Sequence, residues 1–317
     1  MNEAKTLYRI RPRGFCAGVV RAIEIVELAL DAYGPPIYVL HEIVHNRYVV
    51  EQLGAKGAIF VNHLEEVPVS ARLIFSAHGV SPQVRQLAAI RRLRVIDATC
   101  PLVTKVHLEA LKFARDGYTI LLIGDRDHDE VEGTSGEAPA VTQVVSTVAE
   151  ADAVAVPDPT RVVYLTQTTL SQYDTQAVIE RLRHRFPALK GPPADDICYA
   201  TQNRQEAVED VGSRVQLVLV VGSKNSANSN RLVEVAERVG AHAYLIENER
   251  TIDPAWLEGV RRAALTAGAS APEVLVDRVT ERLRALGFSN VEEVELIPED
   301  VRFTLPAELL RFAASRT

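Results

Sequence analysis

Short, almost wholly apolar runs alternate along the chain with longer segments in which apolar residues recur at helical spacing. The runs Thr119–Ile123 and 215–221 are of the first kind, which is typical of parallel strands covered on both faces. Ile23, Val26 and Leu30 keep the spacing of one helical face. The alternation therefore predicts an α/β protein with mainly parallel sheets.

The three cysteines occupy equivalent positions in three similar stretches of the chain. Each opens a helix-like segment that leads to a strand-like run and a polar loop. The separations are 29, 28 and 28 residues for Cys16 to His45, Cys100 to His128 and Cys198 to Ser226. A second strand-like run and a second polar loop follow in each third. This recurrence indicates an internal threefold repeat.

The repeat predicts three α/β domains. We expect them at residues 1–98, 99–193 and 194–282, with 283–317 as a charged tail whose docking the sequence leaves open. The turn-forming stretch 191–193, Gly-Pro-Pro, supports the second boundary. If the thirds surround an axis, the three thiols and a ring of polar side chains converge at its centre.

Composition narrows the class of protein. The 317 residues carry a net charge of -7, which argues against nucleic-acid binding, since that needs a basic face. No apolar run approaches the ~18 residues of a membrane span, and the first residues lack the apolar stretch of a signal peptide. Three cysteines cannot all pair within one chain. These features predict a cytoplasmic protein with reduced thiols and no membrane partner.

The three thiols suit metal ligation. A cysteine at a helix N-terminus has its thiolate favoured by the helix dipole. A single buried cysteine is often only a small core residue, but packing does not require one at three equivalent positions. Two metal sites remain open: zinc on three cysteines and one histidine, as a purely structural centre, or an iron–sulfur cubane that leaves one iron without a protein ligand.

Polar loops follow the strand-like runs, and in open α/β sheets ligands bind beyond the carboxyl ends of the strands. Imidazoles, hydroxyls, an amide and helix N-termini together can hold a phosphate without a lysine cluster. Ordinary loops and helix caps would contain similar residues. The candidate anion-binding residues are His45, His78, His128, Thr168, Ser226, Asn228 and Ser270.

Two other motifs imitate zinc enzymes. His41, Glu42 and His45 match the His-Glu-x-x-His pattern of zinc proteases, with Glu65 as a distant third ligand. That chemistry needs both histidines on one face of a helix, whereas the motif follows a strand-like run directly. His128 and Glu130 resemble the His-x-Glu of zinc deaminases, but the Pro-Cys-x-x-Cys partner is absent.

Longer motifs resemble one family. They include Arg13-Gly14-Phe15-Cys16-Ala17-Gly18, His45-Asn46-Arg47, Ser76-Ala77-His78-Gly79 and Ala98-Thr99-Cys100-Pro101, and further matches lie at 128–133, 166–170, 198–201, 222–230 and 266–272. Together they resemble the LytB or IspH family, the 4-hydroxy-3-methylbut-2-enyl diphosphate reductases of the methylerythritol phosphate route to isoprenoids. The resemblance covers residues from about 10 to 280 in the family's order.

The resemblance implies a pseudo-threefold trefoil of α/β domains around a central [4Fe–4S] cluster. Cys16, Cys100 and Cys198 would be its ligands, and the open iron would receive the substrate's hydroxyl. Glu130 matches the proton donor, and Thr168 the hydroxyl that relays or positions its proton. The residues that match the diphosphate-binding positions are His45, His78, His128, Ser226, Asn228 and Ser270.

One residue departs from the family's pattern. Ala227 stands where a second serine is common, so a hydroxyl contact to the diphosphate is lost, although a backbone N–H can still bind the diphosphate there.

The resemblance also implies the reaction, which converts an allylic diphosphate to isopentenyl and dimethylallyl diphosphate plus water. The sequence has neither a flavin nor a nicotinamide motif, and the family implies ferredoxin or flavodoxin as the electron donor.

Overall fold

The computed structural model describes residues 5–314, in which strands and helices alternate. The strands are β1 (Thr6–Arg11), β2 (Ile37–Leu40), β3 (Ala58–Val61), β4 (Arg72–Phe75), β5 (Arg94–Asp97), β6 (Thr119–Ile123), β7 (Thr142–Val145), β8 (Val162–Thr166), β9 (Leu217–Val221), β10 (His242–Ile246), β11 (Arg262–Ala267) and β12 (Asn290–Glu295). The helices are α1 (Ala17–Tyr33), α2 (Arg47–Ala55), α3 (Pro82–Ile90), α4 (Pro101–Arg115), α5 (Asp129–Glu137), α6 (Val148–Ala153), α7 (Gln172–Arg185), α8 (Tyr199–Gly212), α9 (Ala227–Arg238), α10 (Glu273–Ala285) and α11 (Ala307–Ala314). Short 3-10 helices lie at Leu64–Glu66, Glu249–Thr251 and Pro254–Leu257.

The strands form three sheets within the described residues, and all the pairings between named strands are parallel. Their orders are β10-β9-β11-β1-β12, β3-β2-β4-β5 and β7-β6-β8. The predicted α/β class with parallel sheets is therefore confirmed. None of the described helices is long and apolar enough to cross a membrane.

The chain divides into two compact units. Unit 1 comprises the residues up to Val19, His45–Val49 and Tyr199–Arg302, and it contains the five-stranded sheet. Unit 2 comprises Val20–Val44, Val50–Cys198 and the residues from Phe303 onward, and it contains the other two sheets. The three domain ranges that the sequence analysis proposes stay a prediction.

The sheet of unit 1 is covered on both faces. Leu219 and Leu265 point to one apolar cluster, which includes Val276 of α10. Val220, one position along β9, points to the opposite cluster, which includes Leu232 of α9. All five of these side chains are fully buried. Because successive side chains of a strand face opposite ways, a strand covered on both faces must be apolar throughout.

Part of the tail lies in the unit 1 sheet. β12 pairs with β1 in parallel register, from Thr6 opposite Asn290 to Arg11 opposite Glu295. The nearly buried guanidinium of Arg13 bridges Glu273 of α10 and Glu293 of β12, at 2.6 and 2.8 Å. Backbone pairing with β1 and the ion pair of Glu293 with Arg13 thus hold this segment on the sheet.

The strand predicted at 215–221 begins later, since β9 starts at Leu217. Gln216 lies directly before this strand, and its Oε1 accepts the backbone N–H groups of Arg261 and Arg262, each at 2.9 Å. Gln216 therefore joins the two chain segments that enter β9 and β11.

Candidate functional site

Each cysteine lies directly before a helix, and its backbone N–H donates a hydrogen bond to a loop at the end of a strand. The Cys16 N–H donates to Ala269 O at 3.2 Å, after β11. The Cys100 N–H donates to Ala77 O at 2.9 Å after β4, and the Cys198 N–H donates to Thr168 O at 3.0 Å after β8. The three thiols are partly buried and none forms a disulfide. Helix N-termini favour thiolates, so the donor set fits a thiolate-ligated metal centre.

In unit 1 the predicted anion-binding residues gather at the carboxyl ends of β9 and β11. Ser226 is the N-cap of α9, and its Oγ accepts the Ser229 N–H at 3.3 Å. Asn228 follows in the first turn and is 4% exposed. Neither Oδ1 nor Nδ2 of Asn228 has a hydrogen-bond partner within residues 5–314. An unpartnered buried amide costs free energy, and its natural partner here is a ligand at the helix N-terminus.

His45 lies against the same loops of unit 1. The Ser270 hydroxyl donates to the His45 carbonyl at 2.9 Å, and Asn225 Nδ2 lies 3.4 Å from His45 Nδ1. The Ser270 hydroxyl thus holds the His45 carbonyl in place through this hydrogen bond. Ala227, in contrast, presents only a methyl group and its N–H at the start of α9.

In unit 2 the acid candidate is fully enclosed. Glu130 is 2% exposed, and its carboxylate accepts the Thr168 N–H at 2.6 Å and the Thr168 hydroxyl at 3.0 Å. Burial is the largest influence and raises the pKa of Glu130 to about 7, with a further rise from the negative Asp196, although both Thr168 bonds lower it. Glu130 therefore exchanges a proton near neutral pH.

His128 shares the turn that holds Glu130. Its Nδ1 accepts the Glu130 N–H at 3.1 Å, so the neutral ring carries its proton on Nε2, which can donate to an anion. The rings of His78 and His128 meet edge to face, with centroids 5.7 Å apart. His78 Nδ1 also lies 3.3 Å from Ser76 Oγ. The structure thus brings His78, His128, Glu130 and Thr168 together in unit 2.

The backbone of the zinc-protease motif is not helical, although zinc ligation by this motif requires a helix. His41, Glu42 and His45 lie in a non-helical segment, and α2 begins only at Arg47. His41 has φ of 59°, which no α-helix contains. Its Nδ1 lies 3.1 Å from the Asp129 carboxylate, and this hydrogen bond is the main cause that raises the pKa of His41. The protease interpretation is therefore wrong.

A buried histidine that the sequence motifs did not reveal lies beneath the unit 2 loops. His107 Nδ1 lies 2.9 Å from Glu137, which also binds Arg85. Burial is the first cause that lowers the pKa of His107. A Cβ on Gly79 would lie 3.0 Å from this ring, and one on Gly133 3.3 Å. The ring thus supports the turns next to His78 and Glu130, and only the spacing of His107 in α4 hinted at a core position.

These features define a class: an α/β protein of parallel sheets whose strand-end loops carry groups suited to bind an anion, a buried acid, and cysteines directly before helices. A family profile described as "LytB protein" matches residues 7–284. The chain belongs to this family, as its motifs predict.

The similar proteins are reductases by name. A protein from Aromatoleum aromaticum named 4-hydroxy-3-methylbut-2-enyl diphosphate reductase is 56% identical over 97% of this chain and 98% of its own length. A Rhodococcus opacus protein of the same name is 56% identical over 96% and 91%.

Solved structures agree with this relationship. The E-1-hydroxy-2-methyl-but-2-enyl-4-diphosphate reductase of Plasmodium falciparum aligns with a TM-score of 0.95 and 40% identity over 99% of each chain. A structure of (E)-4-hydroxy-3-methyl-but-2-enyl diphosphate reductase, described as the terminal enzyme of the non-mevalonate pathway, aligns with a TM-score of 0.64 and 31% identity. That alignment covers 89% of this chain and 99% of the other.

Proposed function

We propose that this chain is an oxidoreductase that removes the hydroxyl group of (E)-4-hydroxy-3-methylbut-2-enyl diphosphate. The products are isopentenyl or dimethylallyl diphosphate and water, at the last step of the methylerythritol phosphate pathway. Relatives that carry this reductase name match nearly the whole chain. The observation that carries the proposal is Glu130, a carboxyl group that is enclosed in unit 2, bonded by the N–H and the hydroxyl of Thr168, and raised by burial to a pKa of about 7.

We assign diphosphate binding to residues of both units. His45, Ser226, Asn228 and Ser270 belong to unit 1, and His78 and His128 belong to unit 2. Support comes from the unpartnered Asn228 amide and from the Nε2 proton of His128. At Ala227 the backbone N–H takes the place of a hydroxyl.

Cys16, Cys100 and Cys198 are assigned as the ligands of a [4Fe–4S] cluster with one open iron. Thiolates are its usual ligands, and three of them leave one iron open. When bound, the cluster supplies electrons one at a time and a Lewis-acidic iron. A ferredoxin or a flavodoxin is the proposed external donor, and reduced thiols suit the cytoplasm.

The chain's own residues handle the protons. Removal of the hydroxyl group consumes two electrons and two protons and breaks one C–O bond. Thr168 holds the Glu130 carboxyl with its N–H and its hydroxyl. Glu130 delivers the first proton to the leaving oxygen, which departs as water instead of hydroxide. The second proton goes to an allylic carbon, and we assign it to the substrate's own diphosphate.

Anaerobic turnover tests the proposal. Protein purified without oxygen and supplied with a reduced one-electron donor should convert the hydroxylated diphosphate to both products. Iron and sulfide analysis should find about four of each per chain. A colourless protein that contains zinc and forms no product would contradict the assignment and favour a structural metal centre.

A further inference from the structure

Ser226 at the start of α9 accepts two hydrogen bonds from one residue. The Ser229 N–H donates to Ser226 Oγ at 3.3 Å, and the Ser229 hydroxyl donates to the same oxygen at 3.0 Å. Ser229 is completely buried and Ser226 nearly so. Both serines belong to unit 1.

A hydroxyl group has one proton and two lone pairs. In both contacts Ser226 Oγ acts as the acceptor, so its lone pairs are engaged and its own proton takes part in neither bond. No acceptor for that proton occurs among the hydrogen bonds of residues 5–314. Ser226 can thus act toward a ligand only as a donor.

Two glycines make room for the Ser229 hydroxyl group. A Cβ on Gly222 would lie 2.3 Å from Ser229 Oγ, and one on Gly268 only 1.9 Å from it. The Ser229 hydroxyl therefore occupies a space that only glycine leaves free, between the ends of β9 and β11. Ser226 Oγ is the one hydrogen-bond partner of this hydroxyl among the described residues, and the Ser229 hydroxyl donates to it.

We propose that Ser229 is a positioning residue that makes Ser226 an obligate donor to an anionic oxygen. The inference rests on the proposed function, which assigns Ser226 to the diphosphate. Accepting a bond from Ser229 also polarises the Ser226 O–H and strengthens the bond that it donates. The neighbouring Asn228 amide, buried and unpartnered, independently indicates that a ligand binds at this helix N-terminus.

A double-mutant cycle with inorganic pyrophosphate tests the proposal, with affinity measured by calorimetry on the anaerobically purified protein. Ser226→Ala should weaken binding about tenfold or more, the usual range for a bond to a charged group. Ser229→Ala should weaken binding about threefold in the wild-type background. In the Ser226→Ala background the same change should have no effect, because the hydroxyl through which Ser229 acts is gone.

Thr280→Val is the matched control. It removes another buried helical hydroxyl of unit 1, which donates to Val276 O at 2.8 Å, and it should leave pyrophosphate affinity unchanged. Thermal melting of every variant separates affinity from folding. An equal loss in both backgrounds would mean that Ser229 acts by packing, and no loss from Ser229→Ala beside a clear loss from Ser226→Ala would overturn this inference alone. Unchanged affinity in both Ser226→Ala and Asn228→Leu would instead remove the proposed anion site, and this inference with it.

Discussion

The first turns of α5 in unit 2 and of α9 in unit 1 are built alike but differ in how their buried polar groups are used. Each helix follows a strand, and each has an N-cap side chain that accepts a backbone N–H. His128 accepts the Glu130 N–H in α5, and Ser226 accepts the Ser229 N–H in α9. In α5 the buried Glu130 is satisfied by Thr168 within the protein. In α9 the buried Asn228 amide has no partner among the described residues.

This difference separates two tasks. A carboxyl group held by internal donors is prepared to keep and release a proton, because its surroundings set its pKa. An unsatisfied amide and a hydroxyl with an unused proton are prepared to receive a ligand, at a cost in stability that the ligand removes. Variants in the two turns should therefore respond in opposite ways.

The largest effect should come from replacing the cysteines, which occur in both units. Replacing Cys16, Cys100 or Cys198 by Ser removes one of the proposed thiolate ligands, so cluster absorbance and turnover should both be lost. Iron analysis and anaerobic assays measure the two effects. Full iron content and full turnover in any one variant would contradict the three-thiolate site.

Glu130→Gln comes next and tests the acid in α5. General acid catalysis contributes a factor of roughly 10² to 10⁴, and turnover should fall by about that much. The acid must be protonated, so wild-type kcat should decline as the pH rises above about 7, and the variant should lack this limb.

The pH dependence of stability gives an independent test of the raised pKa of Glu130. The folded pKa of about 7 exceeds the ordinary 4.5, so the folded protein binds more protons between these values, and its stability should fall as the pH rises through this window. Glu130→Gln should flatten that decline by an amount on the order of 2–3 kcal/mol. The exposed Glu132→Gln, in the same turn, is the control and should change neither measurement. Identical pH profiles for wild type and Glu130→Gln would remove Glu130 from the mechanism.

Asn228→Leu tests the ligand side of the comparison. Pyrophosphate affinity should fall about tenfold or more, since bonds to a charged group are lost. The unliganded protein should become more stable by about 1 kcal/mol, because an apolar group of similar size replaces a buried unsatisfied amide. Calorimetry and urea unfolding measure the two changes. Weaker binding together with lower stability would mean that Asn228 is structural.

Thr168→Val in unit 2 should lower the stability of the protein, whereas Asn228→Leu should raise it. It removes a hydroxyl that donates to Glu130 at 3.0 Å, so stability should fall by about 1 kcal/mol. Because that bond lowers the pKa of Glu130, its loss should move the basic limb of the kcat profile to higher pH. A shift toward lower pH would show that the hydroxyl does not stabilise the carboxylate.

The sequence predicted much of this arrangement because local patterns encode it. The apolar run Thr119–Ile123 placed β6 at its observed bounds, and the residues after Cys16 and Cys100 predicted α1 and α4. These signals depend only on neighbours in the chain.

The rest depends on distant partners. The pairing of β1 with β12 joins residues 284 positions apart, such as Thr6 and Asn290. The sequence of β12 is charged and lacks the apolar run that would predict a strand. The contact of Ser229 with Gly222 and Gly268 is likewise invisible in sequence, since serine and glycine are common in any loop. The one available hint was that Gly222 and Gly268 each directly follow an apolar strand, β9 and β11.

The smallest effect should come from restoring the hydroxyl that the family commonly has. Ala227→Ser adds a donor at the first residue of α9, beside Ser226 and Asn228. A hydrogen bond to a charged group is worth up to about 3 kcal/mol, but the new side chain must be ordered, and we expect the N–H groups of this turn to bind the anion already. Pyrophosphate affinity should therefore rise only about threefold, which corresponds to roughly 0.6 kcal/mol. Calorimetry on the variant and on Ala227→Gly, which adds no donor, measures the gain. A gain of a hundredfold would mean that the wild-type turn leaves the anion largely unbound at this position, and the contrast between α5 and α9 would then rest on Ala227 as much as on Asn228.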